Sequence, residues 1–349
     1  MKCEEKLKIL FVYNNELDGA FGGSQRTIQN LKGIKCYGSV DMYKFERVSK
    51  LYTFLNSLIG YIGNSSFSYK KKLEKKIKSN NYDYIFFDQT IHGKLVKYIT
   101  KKLKCKCLVH YHNNDAEYYH DLYKVGGIKY LSIYLSAVIN QNLSKKYAYK
   151  NIFITKEDSI SVGTTTNAKV IIPITLKDKY EECTENTENY ILYIGAATFA
   201  NIEGAKYIIT KLATKSEIQF VLIGKNLKTE IDKLHLAIPS NVLIFDYVES
   251  LSQYFLNASA FISPLFYGSG MKVKLAEALM YGKKILGTPL SFWGYDMTDE
   301  CVVCKDESDF INEIKKIDLN KKFYIQNRKL FEEKYTDSLN QLYYKELFI

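Results

Sequence analysis

The stretch most able to do chemistry runs Pro264-Leu-Phe-Tyr-Gly-Ser-Gly-Met-Lys-Val-Lys-Leu-Ala-Glu-Ala-Leu-Met-Tyr-Gly282. An apolar run ends at the proline, and Gly268-Ser269-Gly270 opens a predicted helix over 270–281. Backbone amides at such a helix start bind phosphate, assisted by the positive end of the helix dipole. Lys272 and Lys274 add two cations at an end where the dipole disfavours them, an arrangement that makes physical sense if an anion sits there. Lys274 and Glu277 are three apart and share a helix face with Gly270. The remaining residues are apolar nearly all round, which marks a buried helix with one charged stripe. A plain Lys274–Glu277 surface pair is the competing reading.

Other clusters offer less. Cys301-x-x-Cys304 has no second pair and no histidine at zinc spacing, so no metal site is expected. Cys105 and Cys107 alternate at a strand start and read as packing. The chain lacks G-x-G-x-x-G, G-x-x-x-x-G-K-[ST] and Asp-x-Asp, which leaves dinucleotide, P-loop and metal-clamp readings without support. No cofactor is expected.

The elements that must position these residues alternate. Leu7 to Tyr13, Tyr82 to Phe87, Cys107 to His112, Asn151 to Ile154 and Lys169 to Ile172 read as buried strands, with a glycine loop and helix (Ser24 to Leu31) and lysine-rich helices (Tyr69 to Lys78, Ile91 to Lys102) between them. Such alternation predicts parallel sheets covered on both faces. Pro173 is the first proline, and polar, acidic Lys177 to Asn189 reads as a linker. Alternation restarts with strands at Tyr190 to Ile194, Ile218 to Ile223, Val242 to Phe245, Ala260 to Ser263 and Lys284 to Gly287, a helix over Asn201 to Ala213, and a mostly helical tail from Asp306. The expected division is 1–173, a 174–189 linker, 190–325, and a helical tail at 326–349.

Composition is that of a soluble two-domain chain: 349 residues, 46% hydrophobic and 25% charged. The longest apolar near-run, Tyr130 to Ile139, is too short to span a bilayer. The first residues, Met-Lys-Cys-Glu-Glu-Lys, carry no signal-peptide core. Seven scattered cysteines argue against a disulfide framework and for a reducing cytoplasm. The net charge is +11, almost all from lysine; only Arg26, Arg47 and Arg328 are arginine. That argues against sequence-reading nucleic-acid binding and suits anionic substrates or an anionic membrane face, or reflects compositional bias.

The 264–282 stretch resembles the nucleotide-sugar signature of GT-B glycosyltransferases, in particular the retaining family 4. That signature usually carries two glutamates separated by seven residues; Glu277 matches the second and Ser269 stands at the first, as in a branch reading Gly-Ser-Gly-x-Lys-x-Lys. The resemblance implies that Glu277 binds the ribose hydroxyls and that Gly268, Ser269, Gly270, Met271 and Lys272 hold the donor diphosphate, with Lys274 balancing its charge. Tyr193-Ile-Gly195 through Asn201-Ile-Glu-Gly204 is similar to the family's phosphate-side loop, lacking its arginine at Ala196-Ala197. Phe245-Asp-Tyr247-Val248 resembles the strand end that holds the base. Gly22-Gly23-Ser24 resembles the glycine loop near donor and acceptor. Val109-His-Tyr-His112-Asn-Asn-Asp115-Ala-Glu-Tyr-Tyr119 is similar to the family's histidine segment, implying His112 at the sugar and Asp115 on the acceptor side, with His110 as the alternative register.

The implied fold is α/β of the GT-B type, two Rossmann-like domains facing a cleft, with room for a C-terminal helix crossing back to the first. The implied activity is metal-independent, retaining transfer of a sugar from a nucleotide-diphosphate donor to a glycan or lipid-linked acceptor of a surface polysaccharide. His112, Lys274 and Glu277 are the catalytic candidates. The expected setting is the cytoplasm, with peripheral contact to an anionic membrane. A sugar-nucleotide epimerase on the same fold, or a non-catalytic subunit stabilising a partner transferase, are the alternatives.

Overall fold

A computed structural model describes residues 7–18, 22–46, 48–62, 67–163, 167–181, 188–268 and 270–349. Two compact units form: Met1–Ile174 with Ser338–Ile349, and Thr175–Asp337.

The first unit contains β1 (Leu7–Tyr13), α1 (Gly22–Lys35), β2 (Gly38–Lys44), α2 (Lys50–Leu58), α3 (Phe67–Lys78), β3 (Tyr84–Phe87), α4 (Gly93–Tyr98), β4 (Lys106–Tyr111), α5 (Asp115–Gly126), α6 (Leu131–Tyr147), β5 (Lys150–Phe153), α7 (Lys156–Ser161) and β6 (Ala168–Ile171). Its sheet has the order β2-β1-β3-β4-β5-β6, and all pairings are parallel, Ile9 opposite Tyr84 and Phe87 opposite Val109. Parallel neighbours need crossover segments that cover both faces, so the central strands β1 and β3 are largely apolar. Alternate residues feed opposite cores. Leu10 and Val12 join Ile85, Phe87 and Tyr111 on one face; Ile9 and Phe11 join Tyr84, Phe86 and Leu108 on the other.

The second unit contains β7 (Tyr190–Ile194), α8 (Phe199–Tyr207), β8 (Gln219–Ile223), α9 (Leu227–Asp232), β9 (Val242–Phe245), α10 (Leu251–Asn257), β10 (Ala260–Ser263), α11 (Val273–Met280), β11 (Lys284–Gly287), β12 (Cys301–Val303), α12 (Glu307–Lys315) and α13 (Ile325–Lys334). Its parallel sheet runs β12-β11-β10-β7-β8-β9. The order reverses between β7 and β10. The final helix, α14 (Asn340–Lys345), packs in the first unit: Tyr344 and Leu347 are fully buried in its core.

Several expected boundaries shift. Gly22 and Gly23 are the first residues of α1, not a preceding loop. The helix expected over 270–281 is confined to 273–280. Edge strands β2 and β12 were not foreseen: β2 carries no continuous apolar run, and that of β12 is only three residues long. The expected linker is partly built into the second unit: Leu176 bridges Thr336 and Asp178 pairs with Arg328. Residues 182–187 lie outside the described part. Among the described residues, no helix is long and apolar enough to cross a membrane.

Candidate functional site

In the second unit, the sheet's carboxyl edge is shaped by glycine. The amide of Gly195 donates to the Ile223 carbonyl at 2.9 Å, and that of Gly224 to the Phe245 carbonyl at 3.0 Å, extending both ladders past the strands. A Cβ on Gly224 would overlap the Gly195 carbonyl, so only glycine lets these strand ends close together. Beyond Gly195, Thr198 caps α8, accepting a hydrogen bond from the Asn201 amide. On α8, a Cβ at Gly204 would stand 3.0 Å from the Pro264 carbonyl, so the helix lies close against the start of the 264–272 loop. The loops after β7 and β10 therefore adjoin at the reversal of strand order, where open α/β sheets bind ligands.

The 264–272 loop turns at Gly268 and Gly270, with φ of +106° and +71°. These are left-handed conformations that favour glycine. Met271 is buried. Lys272 stands at the N-cap of α11 without a side-chain cap. Its carbonyl accepts from the Tyr295 hydroxyl at 2.8 Å, and its ammonium donates back to the Gly270 carbonyl at 2.9 Å. In the first turn, Lys274 Nζ lies 2.6 Å from Glu277 Oε2; both side chains are partly exposed. Leu275, Ala276, Ala278, Leu279 and Met280 bury the other faces of α11. Its far end is held by Arg328, which donates to the Met280 carbonyl at 2.8 Å while forking onto Asp178. A cationic, amide-bearing helix start with a carboxylate one turn on can bind a diphosphate and a diol together. Tyr247 and Val248 follow β9, and Tyr247 is largely exposed. Ser269 lies outside the described residues.

In the first unit the carboxyl edge holds a buried polar network. Asp88, just past β3, accepts from Thr27 Oγ1 at 2.6 Å and from Asn30 Nδ2 at 2.7 Å, both on α1. His112, just past β4, brings Nε2 to 3.2 Å from Asp88 Oδ2 without making a hydrogen bond to it. Tyr344 donates to Asn30, so α14 also braces the network. His110 is fully buried, and Arg26 donates to its Nε2 at 3.0 Å. Burial, then the charges of Arg26 and His112, hold its pKa well below the ordinary value. His110 is thus committed to Arg26, whereas His112 sits at the strand end, partly exposed. Asp115 opens α5 and accepts from the Thr90 hydroxyl; burial raises its pKa. Gly22 is exposed, and the Gly23 carbonyl accepts from Asn15 Nδ2 at 3.1 Å.

One ligand atom each from Asp88, His110 and His112 lies within 4.8 Å of the others. Arg26 donates to His110 Nε2, and both carboxylate oxygens of Asp88 accept from α1, so the cluster is already part of a hydrogen-bond network. Cys301 and Cys304 are buried free thiols.

Sequence reasoning missed Arg26, Thr27, Asn30 and Asp88. A signal existed for Asp88: a carboxylate directly after the apolar strand Tyr84–Phe87 stands at the edge where α/β sheets place functional groups.

Residues 188–318 match the sequence profile of a family described as Glycosyl transferases group 1. No curated protein matches the chain in sequence. The fold is that of solved GT-B glycosyltransferase structures. Sucrose-phosphate synthase from Thermosynechococcus elongatus is similar at TM-score 0.76 and 13% identity, covering 98% of both chains. HepE of Anabaena, solved with UDP-glucose, is similar at TM-score 0.66 and 12% identity, covering 98% of this chain and 99% of that one. A glycosyltransferase from Rickettsia africae gives TM-score 0.68 at 15% identity, over 98% and 97%.

Proposed function

We propose that this chain is a glycosyltransferase that moves a sugar from a nucleotide-diphosphate donor to a glycan or lipid-linked acceptor in surface polysaccharide biosynthesis. The observation that carries the reading is the start of α11. It stands at the β7/β10 reversal, bears Lys272, Lys274 and Glu277, and lies inside the segment that matches the group 1 profile. Amides around Gly270 and the two lysines take the diphosphate. Glu277 accepts from the ribose hydroxyls, and the strand ends at Gly195 and Tyr247-Val248 flank phosphate and base. His112 is the group offered to the sugar.

The reaction retains anomeric configuration through an oxocarbenium-like transition state. Charge builds on the departing diphosphate, and the helix start with its lysines stabilises it in place of a metal clamp. The protein works in the cytoplasm, with its cationic first unit against an anionic membrane face.

The test is a thermal-shift screen of UDP-, GDP-, ADP- and CMP-linked sugars, UDP-glucose first because HepE holds it. A donor at 100 times its Kd should add about 2.7 kcal/mol of stability. Slow hydrolysis of that donor without acceptor should follow; donor epimerisation instead would identify an epimerase. Ser269 in place of an acidic residue favours one further reading, a donor-binding but non-catalytic subunit. Binding without any turnover would establish it.

A further inference from the structure

Two helices of the first unit are turned inside out. On α2, Asn56 and Ser57 are buried, while Leu51, Phe54, Leu55 and Leu58 are 69%, 46%, 51% and 60% exposed. Their i, i+3, i+4, i+7 spacing places them on one stripe. The polar side faces α6: Ser57 Oγ lies 2.8 Å from Ser132 Oγ, Ser136 donates to the Ser57 carbonyl at 2.7 Å, and Asn140 donates to the Gly60 carbonyl at 2.9 Å. The same inversion holds on α6, where Ser136, Asn140, Gln141 and Ser144 are buried and Leu135 and Ile139 are exposed. The chain leaving α2 runs beside the α6 stripe: a Cβ on Gly60, two residues past α2, would stand 4.0 Å from Ile139 Cδ1. A contiguous exposed apolar face marks an interaction surface.

Charge identifies the partner. Neither α2 nor α6 contains an acidic residue, and Lys50, Lys145 and Lys146 lie on them. Lys94 borders the patch, donating to the Ile59 carbonyl. Residues 1–174 hold 28 Lys and Arg against 14 Asp and Glu, a net +14, whereas residues 175–349 are net −3. A second copy of so cationic a unit would be repelled. An apolar stripe rimmed by lysine in a strongly positive unit is the pattern of a helix lying in the plane of an anionic bilayer.

We propose that the α2–α6 face docks on an anionic lipid bilayer, with Leu51, Phe54, Leu55 and Leu58 among the acyl chains and the bordering lysines at the headgroups. This rests on the peripheral-membrane part of the proposed function and is independent of the transfer chemistry.

The experiment is cosedimentation of the full chain with phosphatidylcholine vesicles, with and without phosphatidylglycerol, at low and high salt. Wild type should bind the phosphatidylglycerol vesicles and keep a salt-resistant fraction. The triple variant Leu51→Ser, Leu55→Ser, Leu58→Ser should bind at least about tenfold more weakly. In a Trp293→Phe background, which removes the one native tryptophan, the indole of Phe54→Trp should be quenched by brominated lipid; this readout does not depend on the triple variant folding. If wild type ignores anionic vesicles, both this proposal and the peripheral reading fall. If it binds, but salt abolishes binding, serines change nothing and brominated lipid leaves the indole bright, the charge reading stands and the docking face is wrong. Loss of a dimer in the triple variant, with vesicle binding intact, would overturn the proposal in favour of a second copy.

Discussion

Replacing Glu277 by alanine separates a ligand group from a structural one. Its carboxylate lies 2.6 Å from Lys274 Nζ, with side-chain exposures of 17% and 31%. A partly solvated i, i+3 pair of this kind contributes about 0.5 kcal/mol, and rarely above about 1. The apolar faces of α11 do not involve it, since Leu275, Ala276, Ala278, Leu279 and Met280 carry the burial. For a unit of this size, about 1 kcal/mol shifts Tm by roughly 2–4 °C. Binding should suffer far more. A charged acceptor lost from two ribose hydroxyls costs about 1.5–3 kcal/mol, or about 10- to 150-fold in Kd. Titration calorimetry with UDP on wild type, Glu277→Ala and Glu277→Gln is the assay, beside differential scanning calorimetry. Alanine should weaken UDP by at least about tenfold with Tm nearly unchanged, and glutamine should fall between. A Kd within twofold of wild type would refute the ribose assignment. A Tm loss beyond about 6 °C would show that the Lys274–Glu277 pair holds the helix.

Three further outcomes are expected. Activity should survive excess EDTA, and Lys274→Ala should lower turnover by about 10²–10³ while weakening UDP far less; rescue of a chelated enzyme by Mg²⁺ or Mn²⁺ would contradict the leaving-group role. Burial pushes the His92 pKa down to about 3, so its neutral form is favoured on folding: the stability is present above the unfolded pKa of about 6.5 and declines as pH falls from there toward 3, by up to about 1.4 kcal/mol per unit. Urea midpoints measured from pH 7 to 4 should fall, and less steeply in His92→Gln once each variant is referred to its own pH 7 value. Gly224→Ala should destabilise the second unit by about 2 kcal/mol or more, because its Cβ meets the Gly195 carbonyl backbone rather than a movable side chain; an unchanged urea midpoint would mean the two strand ends separate freely.

The sequence by itself determined the parallel sheets. Strands such as Ile9–Tyr13, Tyr84–Phe87, Tyr190–Ile194 and Ala260–Ser263 are buried on both faces, and that burial leaves a continuous apolar run no other element needs. It also carried the 264–282 segment, because a helix start, its glycines and its charges are local neighbours. Edge strand β2, Gly-Ser-Val-Asp-Met-Tyr-Lys, stayed hidden because it is half solvated and needs no such run. Tertiary structure alone decided which polar residues meet. Asp88 reaches across 61 residues to Thr27, Arg26 across 84 to His110, and Tyr344 across 314 to Asn30, and no periodicity encodes pairings set by strand order. It also decided which side of a helix faces out. The amphipathic pattern of α2 is written in its residues, but only docking through Ser57 onto α6 turns the leucines outward, since a helix rotates to satisfy its buried hydrogen bonds as well as to hide its apolar surface.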